Sequence, residues 1–97
     1  MAAIQRTDLG GVYVRDATVD LASIAANTTV EVDVTVTDVL ATDVLLGVNS
    51  PAALNAGLAV VDGRVKSANT VTIRVANVTG GALDAASGSF KFVIGRL

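Results

Sequence analysis

The chain has 97 residues and a formal charge of −2, which suits one domain with a small core and gives no basic footprint for nucleic acid. It contains neither histidine nor cysteine, so an imidazole general base, a thiolate nucleophile, a disulfide and a zinc–thiolate site are all excluded. Hydrophobic residues make up 52% of the chain but aromatics only 3%, so the apolar mass is mainly Val, Ala, Leu and Ile, and a Val- and Thr-rich chain of this kind favours the pleated surface of a strand.

Residues 1–10 lack periodicity and are expected to form an N-terminal arm, with residues 11–97 a single β-sandwich domain. Met1-Ala2-Ala3-Ile4-Gln5-Arg6 lacks the basic start and apolar run of a signal peptide. No apolar stretch approaches the ~20 residues that span a bilayer. Val12 and Val14 mark a first strand, and Val19 and Leu21, with Ile24 just beyond, a second.

The strongest pattern is Thr29-Val30-Glu31-Val32-Asp33-Val34-Thr35-Val36-Thr37. Side chains alternate across a strand, so the four valines line one face and Glu31, Asp33 and Thr35 the other, as in an antiparallel sheet with one wet side. Val44, Leu46 and Val48 mark the next strand. After it, Ser50 as cap and Pro51 at the first helical position predict one helical turn over residues 52–57.

Residues 58–66 are strand-like but interrupted by Asp62-Gly63. That pair fits either a two-residue hairpin turn or a bulge within one strand, and the short flanking segments favour the bulge. Asn69–Asn77 alternates again, with Val71, Ile73 and Val75 inward. Residues 82–88 are small and polar and are expected to be a surface loop. Ser89–Ile94 closes the series with Phe90, Phe92 and Ile94 inward. About seven to eight short strands separated by turns indicate an all-β antiparallel sandwich or barrel and not βαβ units. The expected core includes Val32, Val34, Ile73, Val75, Phe90 and Phe92.

Chemistry is sparse. Glu31 and Asp33 share a strand face, and Asp38 and Asp43 flank the turn at residues 39–42. A calcium or glycosidase site needs further converging carboxylates, so these acids are read as keeping an exposed strand and its turn soluble and discouraging edge pairing. Gly80-Gly81 lacks the Lys and helix of a phosphate loop. Asn27-Thr28-Thr29 and Asn77-Val78-Thr79 fit the glycosylation acceptor pattern, which is common by chance. Phe90 and Phe92 are read as core, and Tyr13 as either core or contact. Lys66, Lys91 and the five arginines are scattered along the chain. No catalytic, cofactor or metal residues are assigned.

Charged residues are only 16% of the chain, against the roughly 25% usual for soluble domains. So few charges leave much uncharged surface unless partner subunits cover it.

A further series carries a likeness. It runs from Ile24-Ala25-Ala26-Asn27-Thr28-Thr29-Val30-Glu31 through Val39-Leu40-Ala41-Thr42-Asp43-Val44, Val48-Asn49-Ser50-Pro51 and Ala56-Gly57-Leu58. It continues with Gly63-Arg64-Val65-Lys66-Ser67-Ala68-Asn69-Thr70-Val71-Thr72-Ile73 and Asn77-Val78-Thr79-Gly80-Gly81-Ala82-Leu83-Asp84, then the final Phe-rich strand. This series resembles small head-decoration, head-fibre and minor structural proteins of tailed bacteriophages, over residues 24–97. The resemblance implies a jelly-roll-type sandwich on the virion exterior, made in the host cytoplasm. It also implies a homotrimer that binds the major capsid protein lattice and stabilises the head, with no enzyme activity and no cofactor. The arm supplies the capsid-contact candidates Ile4, Gln5, Arg6, Asp8, Leu9 and Gly10. Two other readings compete: a tail-fibre or receptor-binding module for a host glycan, disfavoured by the shortage of aromatics, and a carboxylate-based hydrolase.

Overall fold

A computed structural model describes residues 10–52 and 54–97. Six strands follow one another: β1 (Gly11–Val19), β2 (Thr28–Thr35), β3 (Val44–Asn49), β4 (Leu58–Ser67), β5 (Thr70–Asn77) and β6 (Gly88–Arg96). They form two three-stranded antiparallel sheets, ordered β1-β6-β3 and β2-β5-β4. Only β4 and β5 are joined within one sheet; every other connection crosses to the opposite sheet. The β4–β5 turn is tight because Asn69 adopts the left-handed conformation (φ 61°), which asparagine tolerates better than most residues.

The alternation in the sequence builds the core directly. Val34, Val71, Ile73 and Val75 from one sheet are buried in the same cluster as Phe90, Phe92 and Ile94 from the other. The two phenylalanine rings lie 6.5 Å apart, centre to centre, on the middle strand β6. Val36 and Val39, just beyond β2, are also buried. Val32 is only half-buried. It sits on the outer strand β2 and lines an open groove between residues 18–20 and 32–35.

Several expectations are corrected. Among the described residues there are six strands, not seven to eight, and Val19 closes β1 instead of opening another. Leu21 and Ile24 are buried within the β1–β2 connection, where Ile24 bridges to Leu83. A packed loop produces the same apolar spacing as a strand. Residues 82–88 are likewise no simple surface loop, since Ala85 is buried and Leu83 carries that bridge. The helical turn expected over residues 52–57 does not appear, since no helix occurs among the described residues; the Leu54 N–H donates to the Pro51 carbonyl at 3.0 Å.

Asp62-Gly63 lies inside β4, and the bulge falls at Val61, between the pairs Val60↔Val75 and Asp62↔Arg74. Gly63 sits where a side chain would be crowded, since a Cβ there would lie 2.7 Å from Leu45 Cδ2, which would have to move, and 3.1 Å from the Thr72 carbonyl oxygen. Gly10 donates its N–H to the Arg96 carbonyl and so continues the β1–β6 edge. Ile4, Gln5, Arg6, Asp8 and Leu9 lie outside the described residues.

Candidate interaction surface

The outer faces of the two sheets differ in chemistry. On β2-β5-β4, strand register sets Glu31 beside Arg74, Asp33 beside Thr72, and Asp62 beside Arg74. Arg74 binds Glu31 at 3.0 Å and Asp62 at 3.3 Å, and Arg64 reaches Glu31 at 3.5 Å. Lys66 binds Asp33 at 2.7 Å, and the Thr72 hydroxyl donates to the same carboxylate at 2.7 Å. The Arg74 and Arg64 guanidiniums hold the Glu31 carboxyl below its usual range, and Lys66 and Thr72 do the same for Asp33. Bases scattered along the chain are therefore gathered by strand pairing into one charged lattice.

On β1-β6-β3 the rows read Val12, Gly95, Val44 and then Val14, Val93, Gly47. Val12, Val14, Val44 and Leu46 are 59%, 50%, 43% and 48% exposed. The next row carries the Asp16–Lys91 ion pair at 2.9 Å. Apolar side chains on strand faces lower solubility and are normally covered, so this face is the better candidate for a contact. It continues round the edge of β3 into a groove of about 280 Å³ between residues 45–48 of β3 and 60–63 of β4. Val61, on the far wall, is 58% exposed.

One end of the same sheet is locked. Asp43, in the turn before β3, is buried and accepts four hydrogen bonds. Arg96 supplies two, at 3.0 and 2.8 Å, the Tyr13 hydroxyl one at 2.6 Å, and the Leu40 N–H one at 2.9 Å. Arg96 also donates to the Asp38 carbonyl at 2.8 Å. The guanidiniums of Arg15 and Arg96 lie 4.5 and 4.9 Å from the centre of the Tyr13 ring. The Arg96 hydrogen bonds hold the Asp43 carboxyl far below the usual range, while burial and then the Asp43 hydrogen bond raise the Tyr13 hydroxyl.

A carboxylate so held neither gives nor takes a proton near neutral pH. Its role is to pin the β2–β3 connection to β1 and β6. This overturns the expectation that Asp43 is a solubilising surface acid; its hydrogen-bond donors, the Tyr13 hydroxyl and the charged Arg96 guanidinium, come from positions remote in sequence. Tyr13 is thereby placed as a partly buried clasp residue.

The other acids stand apart. Glu31 and Asp33 spend their oxygens on Arg64, Lys66, Thr72 and Arg74, and among the described residues no three acids converge on one point. Asn77 is buried, and its amide donates to the carbonyls of Ile24 and Gly81, both at 2.9 Å. Its oxygen accepts from the Thr79 N–H and hydroxyl, which removes it as a glycosylation acceptor in the folded chain. The signal for the apolar face was present in the alternation at Val12, Val14, Val44 and Leu46, but alternation does not say which face a sandwich buries.

No protein-family model, no curated protein and no solved structure matches this chain.

Proposed function

We propose that this chain is a capsid decoration protein of a tailed bacteriophage, a non-enzymatic homotrimer that binds the assembled major capsid protein lattice on the head exterior and stabilises it. The apolar outer face of β1-β6-β3 is the observation that carries the reading, because it offers contact area and no chemistry. The resemblance over residues 24–97 supplies the partner. The strand order supports a jelly-roll winding, in which four of five connections cross between the sheets.

Stabilisation follows from mass action. A protein that binds the assembled lattice and not the free subunit shifts the equilibrium by RT ln(1 + [L]/Kd), about 2.7 kcal/mol at a hundredfold excess over Kd. Repeated over many sites, this resists the pressure of packaged DNA. The arm residues Ile4, Gln5, Arg6, Asp8 and Leu9, with Gly10, remain the proposed capsid contact.

The test uses particles stripped of the protein and supplied with it again. Added protein should coat heads and raise the temperature at which they break, and a chain lacking residues 2–9 should coat them less. Label on the tail instead of the head would favour the receptor-binding reading, and unchanged breakage of fully coated heads would remove the stabilising role.

A further inference from the structure

We propose that the clasp at the arm end of the sandwich is a load-bearing anchor, which takes tension entering the chain at Gly10 off β1 and shares it between both sheets. The inference rests on the role proposed above, in which the arm is the capsid contact. A protein that cements a lattice carries tension wherever it is attached, and attachment through the arm delivers that tension to Gly10.

β1 is poorly placed to resist it alone. It is an edge strand, hydrogen-bonded only to β6. The ladder is antiparallel and begins at Gly11↔Arg96, so Gly10 and Leu97 leave the sheet side by side. Tension applied there opens the ladder one pair at a time, and backbone hydrogen bonds at a strand end open most easily. The Gly10 N–H, which donates to the Arg96 carbonyl, is the first to go.

The third residue of the strand stops the peel. The Tyr13 hydroxyl donates to the Asp43 carboxylate at 2.6 Å and accepts from the Arg96 guanidinium at 2.9 Å. Hydrogen bonds to charged groups are roughly twice as strong as neutral ones. The guanidiniums of Arg15 and Arg96 also lie against the ring of Tyr13 and hold it by its face.

The clasp does not end on the sheet it guards. Arg96 donates to the Asp38 carbonyl at 2.8 Å, and the Asp38 N–H donates to Asn69 Oδ1 at 2.9 Å. Asn69 makes two further backbone bonds with the same connection, accepting from the Val36 N–H at 2.9 Å and donating to the Val39 carbonyl at 2.8 Å. Asn69 lies in the β4–β5 turn, so the path crosses to the other sheet. Asp38 and Asn69 both hold left-handed backbone, at φ 72° and 61°, a conformation that persists in such residues where the surroundings over-determine it.

Folding stability does not account for this choice of groups. Burying the Asp43 carboxylate carries a desolvation penalty that well-packed apolar residues avoid. The far end of the sandwich is closed without a charge, by buried Asn77 tying Ile24 to Gly81. The charged lock stands at the end where the arm enters.

Constant-force pulling on single molecules tests this. The chain has no cysteine, so Ala2→Cys with Leu97→Cys places handles across the clasp. Ala22→Cys with Ala82→Cys, both exposed positions, places them at the far end. Tyr13→Phe keeps the ring and removes the hydroxyl. Across the clasp it should shorten the dwell before the first extension step roughly tenfold, the effect of losing one charge-assisted bond. The dwell at the far end should not change. Asn69→Gly keeps the left-handed turn and deletes the side-chain link to the second sheet; it should also shorten the dwell across the clasp, and it stands in where Tyr13→Phe does not fold. An unchanged dwell across the clasp in either folded variant overturns the inference, as does equal shortening in both geometries, which is what a merely stabilising clasp gives. Coating of stripped heads, measured in parallel, separates the two readings. A chain that coats heads while Tyr13→Phe matches the parent under load defeats this inference alone, whereas a clasp that resists load in a chain that does not coat heads defeats only the decoration role.

Discussion

The two outer faces of the sandwich show how one fold divides its labour. The face of β2-β5-β4 pairs its charges across three strands, and the face of β1-β6-β3 leaves Val12, Val14, Val44 and Leu46 in the open. Both stand on the same core, so the difference is not one of stability. Exposed ion pairs contribute little to folding because water screens them and their long side chains lose freedom. Their use is to keep a face wet and its edges unattractive to other strands. The apolar face has the opposite property, being indifferent to folding and costly to leave uncovered.

The largest effect should come from below both faces. Phe92→Ala removes a fully buried ring at the centre of β6 and should cost about 3–5 kcal/mol in urea unfolding. Both faces should be lost in one transition. A loss under about 1 kcal/mol would mean that the sheets do not share this core.

Next comes the clasp at one end of the apolar sheet. Asp43→Asn should lower the melting temperature by several degrees, since Arg96 and Tyr13 lose a charged partner that reaches them from the buried turn. The pH dependence has a definite sign. A carboxyl whose pKa is depressed by folding adds stability above its unfolded value of about 3.9, and that stability is lost as pH falls toward the lower folded value. The parent should therefore weaken in acid from about pH 4 downward, and Asp43→Asn should flatten that slope. Equal slopes would show that Asp43 is not so held.

The charged face should respond less. Glu31→Gln removes the negative charge that Arg64 and Arg74 share and should lower the melting temperature only slightly. Even that loss should shrink at about 1 M salt, where the screening length is ~3 Å. A large, salt-insensitive loss would mean that the lattice supports the fold and not merely the surface.

The smallest effect on folding should be at the apolar face. Val14→Thr keeps the β-branched shape and should change unfolding free energy by less than about 0.5 kcal/mol. It should raise the concentration at which the protein associates or precipitates. An unchanged solubility limit would erase the distinction between the faces.

The core was largely legible in the sequence. Alternation at Val34, Ile73, Val75, Phe90 and Phe92 placed each side chain correctly, because strand geometry is a local property with a period of two. At Asp62-Gly63 the sequence favoured a bulge over a hairpin turn without deciding between them, and strand pairing places the bulge at Val61. Loops were less legible. Leu21 and Ile24 looked like a strand because burial alone, without a ladder, gives the same residue types.

The contact surfaces were the least legible. Val12 and Val14 read as a strand, yet nothing local says that the other side of that strand faces the core. That depends on which sheet packs on which. Asp43 read as a surface acid because its partners, Tyr13 and Arg96, lie 30 and 53 residues away. Composition and alternation alone determined that this protein is all-β with an aliphatic core and no histidine or cysteine chemistry. The tertiary structure alone decided which strand faces meet, where the charges pair and which valines stay wet. Those depend on register and sheet packing, which join residues remote in the chain and leave no mark in local periodicity.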